Sequence, residues 1–280
     1  MTPVSSADIA RAVRGAIPRA ASSLRPDVLA ALRTAADAEP SPTGRAVLRQ
    51  LVTNADIAAA EGVPLCQDTG TVWVWIEVGS ESGLTGDVQA DVDAAVGDAY
   101  REHALRMSVV RDALLDRTNT GDNTPTSIHV TFRPGTGATV HVMLKGGGSD
   151  NASAVSMLDP AVGFEGVMRF VLETVSARGA GACPPLVVGV GVGGTFDSVA
   201  TLAKKALMVP LDAASVPGLA DFERDLLAAI NELGIGPAGL GGLVTALGVR
   251  VCTAPSHIAA LPVAVNLGCS AMRSVTVELV

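Results

Sequence analysis

Cysteine is scarce in this chain: there are four, Cys66, Cys183, Cys252 and Cys269, and no two stand in a C-x-x-C pair. That excludes the usual zinc-ribbon spacing and argues against a thioredoxin-type dithiol. Cations are also few, with 20 Lys and Arg against 28 Asp and Glu and a formal charge of −8. No basic stripe appears, which argues against nucleic acid as a partner, because phosphate binding needs clustered positive charge. Long apolar runs are missing too. Residues 1–27 carry arginines every few positions and no continuous apolar segment, so they read as neither a signal peptide nor a membrane span. The expectation is a soluble, cytoplasmic, anionic protein. In that reducing compartment thiols serve as metal ligands or catalysts more often than as disulfides.

What is present is ordinary globular material, 48% hydrophobic and 17% charged over 280 residues, enough to bury a large core. Residues from about 6 to 61 read as amphipathic helices broken at Pro18, at Arg25-Pro26 and at "EPSPTG". The β-branched and aromatic alternation of residues 72–78 predicts a strand, and the four-residue spacing of Val88, Val92, Val96 and Tyr100 a helix over 88–106. "SIHVTFRPGTGATVHVML" reads as a β-hairpin around "PGTG". A "KGGGSDNAS" loop, a helix near 160–178, the strand "PLVVGVGV", helices near 197–207 and 219–233, and a β-rich end over 243–279 follow. The fold class is mixed α+β: a helical segment over 1–62 packed on a mixed-sheet domain over 63–280.

Gly189-Val190-Gly191-Val192-Gly193-Gly194 matches G-x-G-x-x-G between an expected strand and helix. It lies two-thirds of the way along the chain, where a tight strand-to-helix turn explains it better than a dinucleotide site. Gly146, Gly147 and Gly148 expose backbone amides that suit a carboxylate or phosphate, with Lys145, Ser149 and Asn151 beside them. Cys252 falls in the apolar "LGVRVCTA" and reads as a core thiol. Cys66 ("PLCQDTG"), Cys183 ("GACPPL") and Cys269 ("NLGCSAMR") instead sit at junctions beside Gly or Pro. Three such thiols could hold an iron–sulfur cluster by three irons and leave the fourth open as a Lewis acid. Spacing alone leaves that reading beside the inert one.

The motifs "CQDTGT", "NTGDNTP", "KGGGSDN", "CPPLVVGVGVGGT" and "HIAALPVAVNLGC" occur in an order that resembles the alpha subunit of class I iron–sulfur fumarate hydratases. That group includes the L-tartrate dehydratases, and the resemblance covers essentially the whole chain. It implies a 4Fe-4S cluster held by Cys66, Cys183 and Cys269, with Cys252 outside the ligand set. It implies that Asp68 exchanges a proton with the substrate hydroxyl or water and that Gln67 hydrogen-bonds a substrate carboxylate. Arg106 matches the arginine that clamps a carboxylate, where a guanidinium can form two parallel hydrogen bonds. Gly148, Asn151 and His257 match further substrate contacts. In the family the base acting at carbon is a threonine of a second, beta subunit, so the resemblance implies a dimer of alpha–beta pairs acting on a small dicarboxylate. "NTGDNTP" and "KGGGSDN" are more similar to the fumarase versions than to the tartrate versions. "GCSAMRS" departs from the family pattern, with glycine before the third ligand and serine after it, and side chains that touch a cluster ligand can retune the cluster.

Overall fold

The computed structural model describes residues 3–280. Its first elements are β1 (Val4–Ser5), α1 (Ser6–Ser22), α2 (Pro26–Ala38), α3 (Pro42–Glu61), β2 (Thr71–Gly79), β3 (Leu84–Thr85) and α4 (Val88–Glu102). Next come β4 (Ser127–Arg133), β5 (Ala138–Lys145), α5 (Gly147–Asn151), β6 (Ala154–Leu158), α6 (Gly163–Arg178) and β7 (Leu186–Gly194). The last are α7 (Val199–Met208), α8 (Ala220–Glu232), β8 (Ala246–Ser256), β9 (Leu261–Gly268) and β10 (Ser274–Leu279). Helices and mixed sheets alternate, which is the expected α+β class. Two compact units form, and neither is continuous in sequence. The first takes the chain up to Arg25, then Ala55–Gly147 and Arg273–Val280; the second takes Pro26–Asn54 and Gly148–Met272.

The first unit holds a four-stranded sheet in the order β10-β5-β2-β4. β5 is antiparallel to both β10 and β2, while β2 runs parallel to β4. The expected hairpin is therefore absent: β2 lies between β4 and β5. Its burial is the reason, because Val72, Val74, Ile76 and Val78 are buried on one face and Trp73 and Trp75 on the other. Such a strand needs a neighbour on each edge. α4 supplies the crossover that a parallel β2–β4 pair requires. The aliphatic face of β2 packs with Ile9, Val13 and Ile17 of α1 and Val92, Val96 and Tyr100 of α4. On the opposite face the Trp73 ring centroid lies 5.0 Å from that of His129, and Trp75 Nε1 donates to Thr131 Oγ1 at 2.9 Å.

α1 is capped by Ser5, whose hydroxyl accepts from the Asp8 N–H at 3.1 Å. It runs through Pro18 where the sequence predicts a break. A mid-helix proline costs roughly 3 kcal/mol. Fully burying Ile9, Val13 and Ile17 gains about 1.5–3 kcal/mol for each side chain, so packing wins. α4 stops at Glu102, short of the expected 106, because Ala104 adopts a φ of 50° and Leu105 N–H turns back to Tyr100 O at 2.9 Å.

The second unit is a sheet in the order β6-β9-β7-β8, with β9 antiparallel to both β6 and β7, and β7 parallel to β8. Val171 and Val175 of α6 and Leu226 and Ile230 of α8 pack on Val188, Val190, Val263 and Val265. α7 packs elsewhere, placing Val199 and Ala203 against Ala264. The glycine motif belongs to this contact. It lies within β7 itself, and a Cβ on Gly189 would fall 2.3 Å from Ala203 O, one on Gly191 2.5 Å from Val199 O. Those glycines admit the helix backbone, which is a packing role.

A buried ion pair fastens α8 to β8: Arg250 Nη1 stands 3.3 Å from Glu223 Oε2, with both side chains 8% exposed. Glu223 Oε1 also accepts from Val251 N–H at 2.8 Å, and Arg250 Nη1 donates to Ala213 O at 3.1 Å. Truncating one partner strands the other charge, so Glu223→Ala is expected to lower the unfolding free energy by about 3–5 kcal/mol in urea denaturation. A loss under about 1 kcal/mol would show that the pair is not holding α8.

Candidate active site

In the first unit the loop from Val63 to Gly70 leads into β2, and its polar residues are fixed from several directions. Asp68 is half-buried and both its oxygens are engaged. Oδ1 accepts from Gly70 N–H and Oδ2 from Gly147 N–H, each at 2.9 Å. The carboxylate thus ties the start of β2 to the glycine run after β5. Thr69, buried beside it, donates its hydroxyl to Arg106 O at 2.8 Å. Tyr100 OH, fully buried on α4, lies 3.0 Å from both Thr69 O and Gly70 O and donates to this carbonyl pair. Burial pushes the phenol well above its ordinary ionisation range, with the Arg273 guanidinium and the Thr69 bond opposing. Asn123, at a φ of 62°, donates Nδ2–H to Gly70 O at 3.2 Å and accepts from Ser108 N–H through Oδ1 at 2.7 Å. Together these bonds bring Cys66, Gln67, Asp68 and Arg106 to one end of the first sheet, with Gln67 and Arg106 exposed and Cys66 half-buried.

The second unit gathers another set at one end of its own sheet. Cys183 precedes β7 in a left-handed conformation, φ 57° and ψ 65°. Cys269 directly follows β9, and the antiparallel register pairs Val187 with Gly268. Ser270 N–H donates to Cys183 O at 3.0 Å, which ties the two cysteine loops. α5 lies at the same end: Asp150 accepts from Asn266 Nδ2 at 3.0 Å and pairs with Lys204 Nζ at 3.1 Å. A Cβ on Gly148 would sit 3.9 Å from Gly181 O, beside the Cys183 loop. Gly148 and Asn151 therefore share the cysteine end, exposed to solvent.

His257 does not. It sits on the turn between β8 and β9, where its Nδ1 accepts from Ala259 N–H at 3.1 Å. The eight residues of β9 separate it from Cys269, which at about 3.3 Å per residue is roughly 25 Å. Within this chain β9 therefore sets His257 and Cys269 at opposite ends of one strand. His257 instead lines a cavity of about 390 Å³ with Phe164, Phe222 and Ile258.

None of the four cysteines is in a disulfide. Cys252 is set apart on β8, where burial pushes its thiol above the ordinary range and so disfavours the thiolate a metal needs. Among the described residues no group of three or more His, Cys, Asp or Glu side chains converges as it would around a single ion. A cluster is ligated at its corners, so its thiolates stand apart. Three thiols on loops, each near glycine or proline, fit that donor chemistry.

The family model for fumarate hydratase (Fumerase) matches residues 10–278. This chain belongs to the fumarate hydratase family. It is a hydro-lyase. Among relatives of this family member, the putative L(+)-tartrate dehydratase subunit alpha of Methanocaldococcus jannaschii is 39% identical over 254 residues, 88% of this chain and 89% of that one. The L(+)-tartrate dehydratase subunit alpha of Escherichia coli strain UTI89 is 35% identical over 258 residues, 90% and 84% of the two chains. No described helix of this fumarate hydratase homologue is long and apolar enough to cross a membrane.

Sequence reasoning missed part of this family member's site. In sequence Tyr100 is one more apolar position on a helix, and nothing marks Asn123 within "NTGDNTP". Both hold the Asp68 turn. Nothing local in the sequence distinguishes Arg273 or the Lys204–Asp150–Asn266 set.

Proposed function

We propose that this chain is the alpha subunit of a two-subunit 4Fe-4S hydro-lyase that interconverts fumarate and L-malate. The observation that carries the reading is the Asp68 carboxylate, anchored by two backbone N–H groups two residues from a free cysteine in a chain of the fumarate hydratase family. Cys66, Cys183 and Cys269 would hold the cluster, which when bound supplies a Lewis-acid iron for the substrate hydroxyl. Asp68, oriented through both oxygens, takes or returns the proton of that hydroxyl or of water. Gln67 and Arg106, both exposed, bind one substrate carboxylate, the guanidinium by paired hydrogen bonds. Gly148 and Asn151 receive the other through backbone and amide N–H groups. His257, which the resemblance also makes a substrate contact, stands at the far end of β9 from Cys269 of its own chain. The family resemblance assigns the base at carbon to a beta subunit, with two alpha–beta pairs per molecule. The alpha-subunit names of the relatives support such a partner.

The names of those relatives favour a second reading of the substrate, L(+)-tartrate. Coexpression with the beta chain under argon, cluster reconstitution, and assay with fumarate, malate, tartrate and mesaconate separates the two. Turnover of fumarate and malate at about 10 per second or faster, with tartrate at least tenfold slower in kcat/KM, is the expected result. The reverse order would replace fumarate with tartrate, and no turnover of any of the four would overturn the hydro-lyase assignment.

A further inference from the structure

Arg273 is 1% exposed, among the largest fully buried side chains of the protein. Its Nε and Nη1 lack hydrogen-bond partners, and it forms no ion pair among the described residues. Burying those two nitrogens without an acceptor is costly. Its surroundings in the first unit explain what it faces. A Cβ built on Gly146 would have as its nearest atoms beyond the adjoining residues Asp68 Oδ2 at 3.2 Å and Arg273 Nη2 and Asp68 Cγ, each at 3.8 Å. The carboxylate and the guanidinium thus flank the same small space over Gly146, which only a residue without a side chain leaves open. The backbone around Arg273 is fixed as well, since its carbonyl accepts from Leu144 N–H at 3.2 Å and Ser274 pairs with Met143 at the start of β10.

We infer that Arg273 is a positioning residue for Asp68: its buried, unpartnered guanidinium holds the carboxylate toward Gly146 and Gly147 in the orientation that proton exchange requires. The inference rests on the reading of Asp68 as the group that exchanges a proton. Arg273 acts through Asp68 and not on the substrate, because its side chain is closed off from solvent. Charge attraction in a low-dielectric setting is strong enough to do this without a direct hydrogen bond. Gly146 belongs to the same device, since a methyl group there would crowd Oδ2.

Two measurements test it. In the assembled enzyme, Arg273→Met should lower kcat at least tenfold while KM changes less than threefold, and Arg273→Lys, which keeps a charge, should recover at least half of that loss on a logarithmic scale. A rise in KM with kcat unchanged, a parental kcat in Arg273→Met, or a Lys variant as slow as the Met variant would overturn the inference. The second measurement needs no catalysis. Urea denaturation of the parent, Arg273→Met, Asp68→Asn and the double variant forms a cycle. Arg273→Met should raise the urea midpoint more in the Asp68→Asn background than in the parent, since the guanidinium then has nothing to attract. Additive shifts would overturn the proposal even if the enzyme is active. Parental enzyme without turnover, combined with a non-additive cycle, would instead retire the role of Asp68 and keep the pairing. If Arg273→Met does not fold, Arg273→Gln takes its place in both measurements. Failure of both neutral variants to fold would show that the guanidinium serves the fold and overturn the positioning role.

Discussion

Serine at Cys66, Cys183 or Cys269 is expected to abolish the brown colour of anaerobically reconstituted protein, and serine at Cys252 to leave it. A serine hydroxyl does not ionise near neutral pH, so the exchange removes a thiolate that a cluster iron requires. The contrast with Cys252 has a structural cause. That thiol sits on β8, half-buried, and burial disfavours its anion. The other three occupy loops, with Cys183 and Cys269 joined through the Ser270–Cys183 backbone bond. Iron analysis should give about four irons per chain in the parent and Cys252→Ser, and a large loss in the other three. A colourless parent, or loss confined to Cys252→Ser, would remove the ligand assignment.

Asp68→Asn should reduce kcat by about a hundredfold or more, the range of a general acid–base group, with the cluster absorbance intact. Asparagine is nearly the same shape, but it has a single acceptor oxygen. Asp68 now accepts from Gly70 on one side and Gly147 on the other. An amide nitrogen must therefore face one of those N–H groups, and the contact on that side is lost. The variant should accordingly also show faster amide exchange at Gly70 or Gly147, seen by hydrogen exchange in the resting protein. Parental kcat in Asp68→Asn would place the acid–base group elsewhere.

Much of this was legible in sequence where the signal is local. β2 follows from the "VWVWIEV" alternation, and α6, α7 and α8 lie close to where apolar spacing puts them. The Cys66-Gln67-Asp68 turn stood out because polar groups rarely crowd a thiol. Non-local facts were hidden. Insertion of β2 between β4 and β5 depends on which strand must be covered on both edges, and no pattern within β4 or β5 records that. Pro18 persists in α1 because of packing against β2 and α4 far along the chain. His257 and Cys269 stand twelve residues apart in sequence, which looks close until those residues are seen to form one extended strand. Arg273 reads as an ordinary arginine until burial isolates it.

The four passages of the chain between its units, after residues 25, 54, 147 and 272, bear on how the protein is made. β5 is complete at Lys145, yet its outer neighbour β10 is the last strand of the sequence. At ribosomal rates of 5–20 residues per second, β5 waits on the order of ten seconds with an open edge before β10 and Arg273 emerge. Unit-by-unit folding during synthesis is thereby closed to this chain, because the unit that starts first is finished last. Long-range closure of this kind slows folding, and an apolar strand with a free edge invites pairing between nascent chains. The newborn protein should depend on a chaperone to cover that edge, and cutting the gene between units would not yield either one as a contiguous piece.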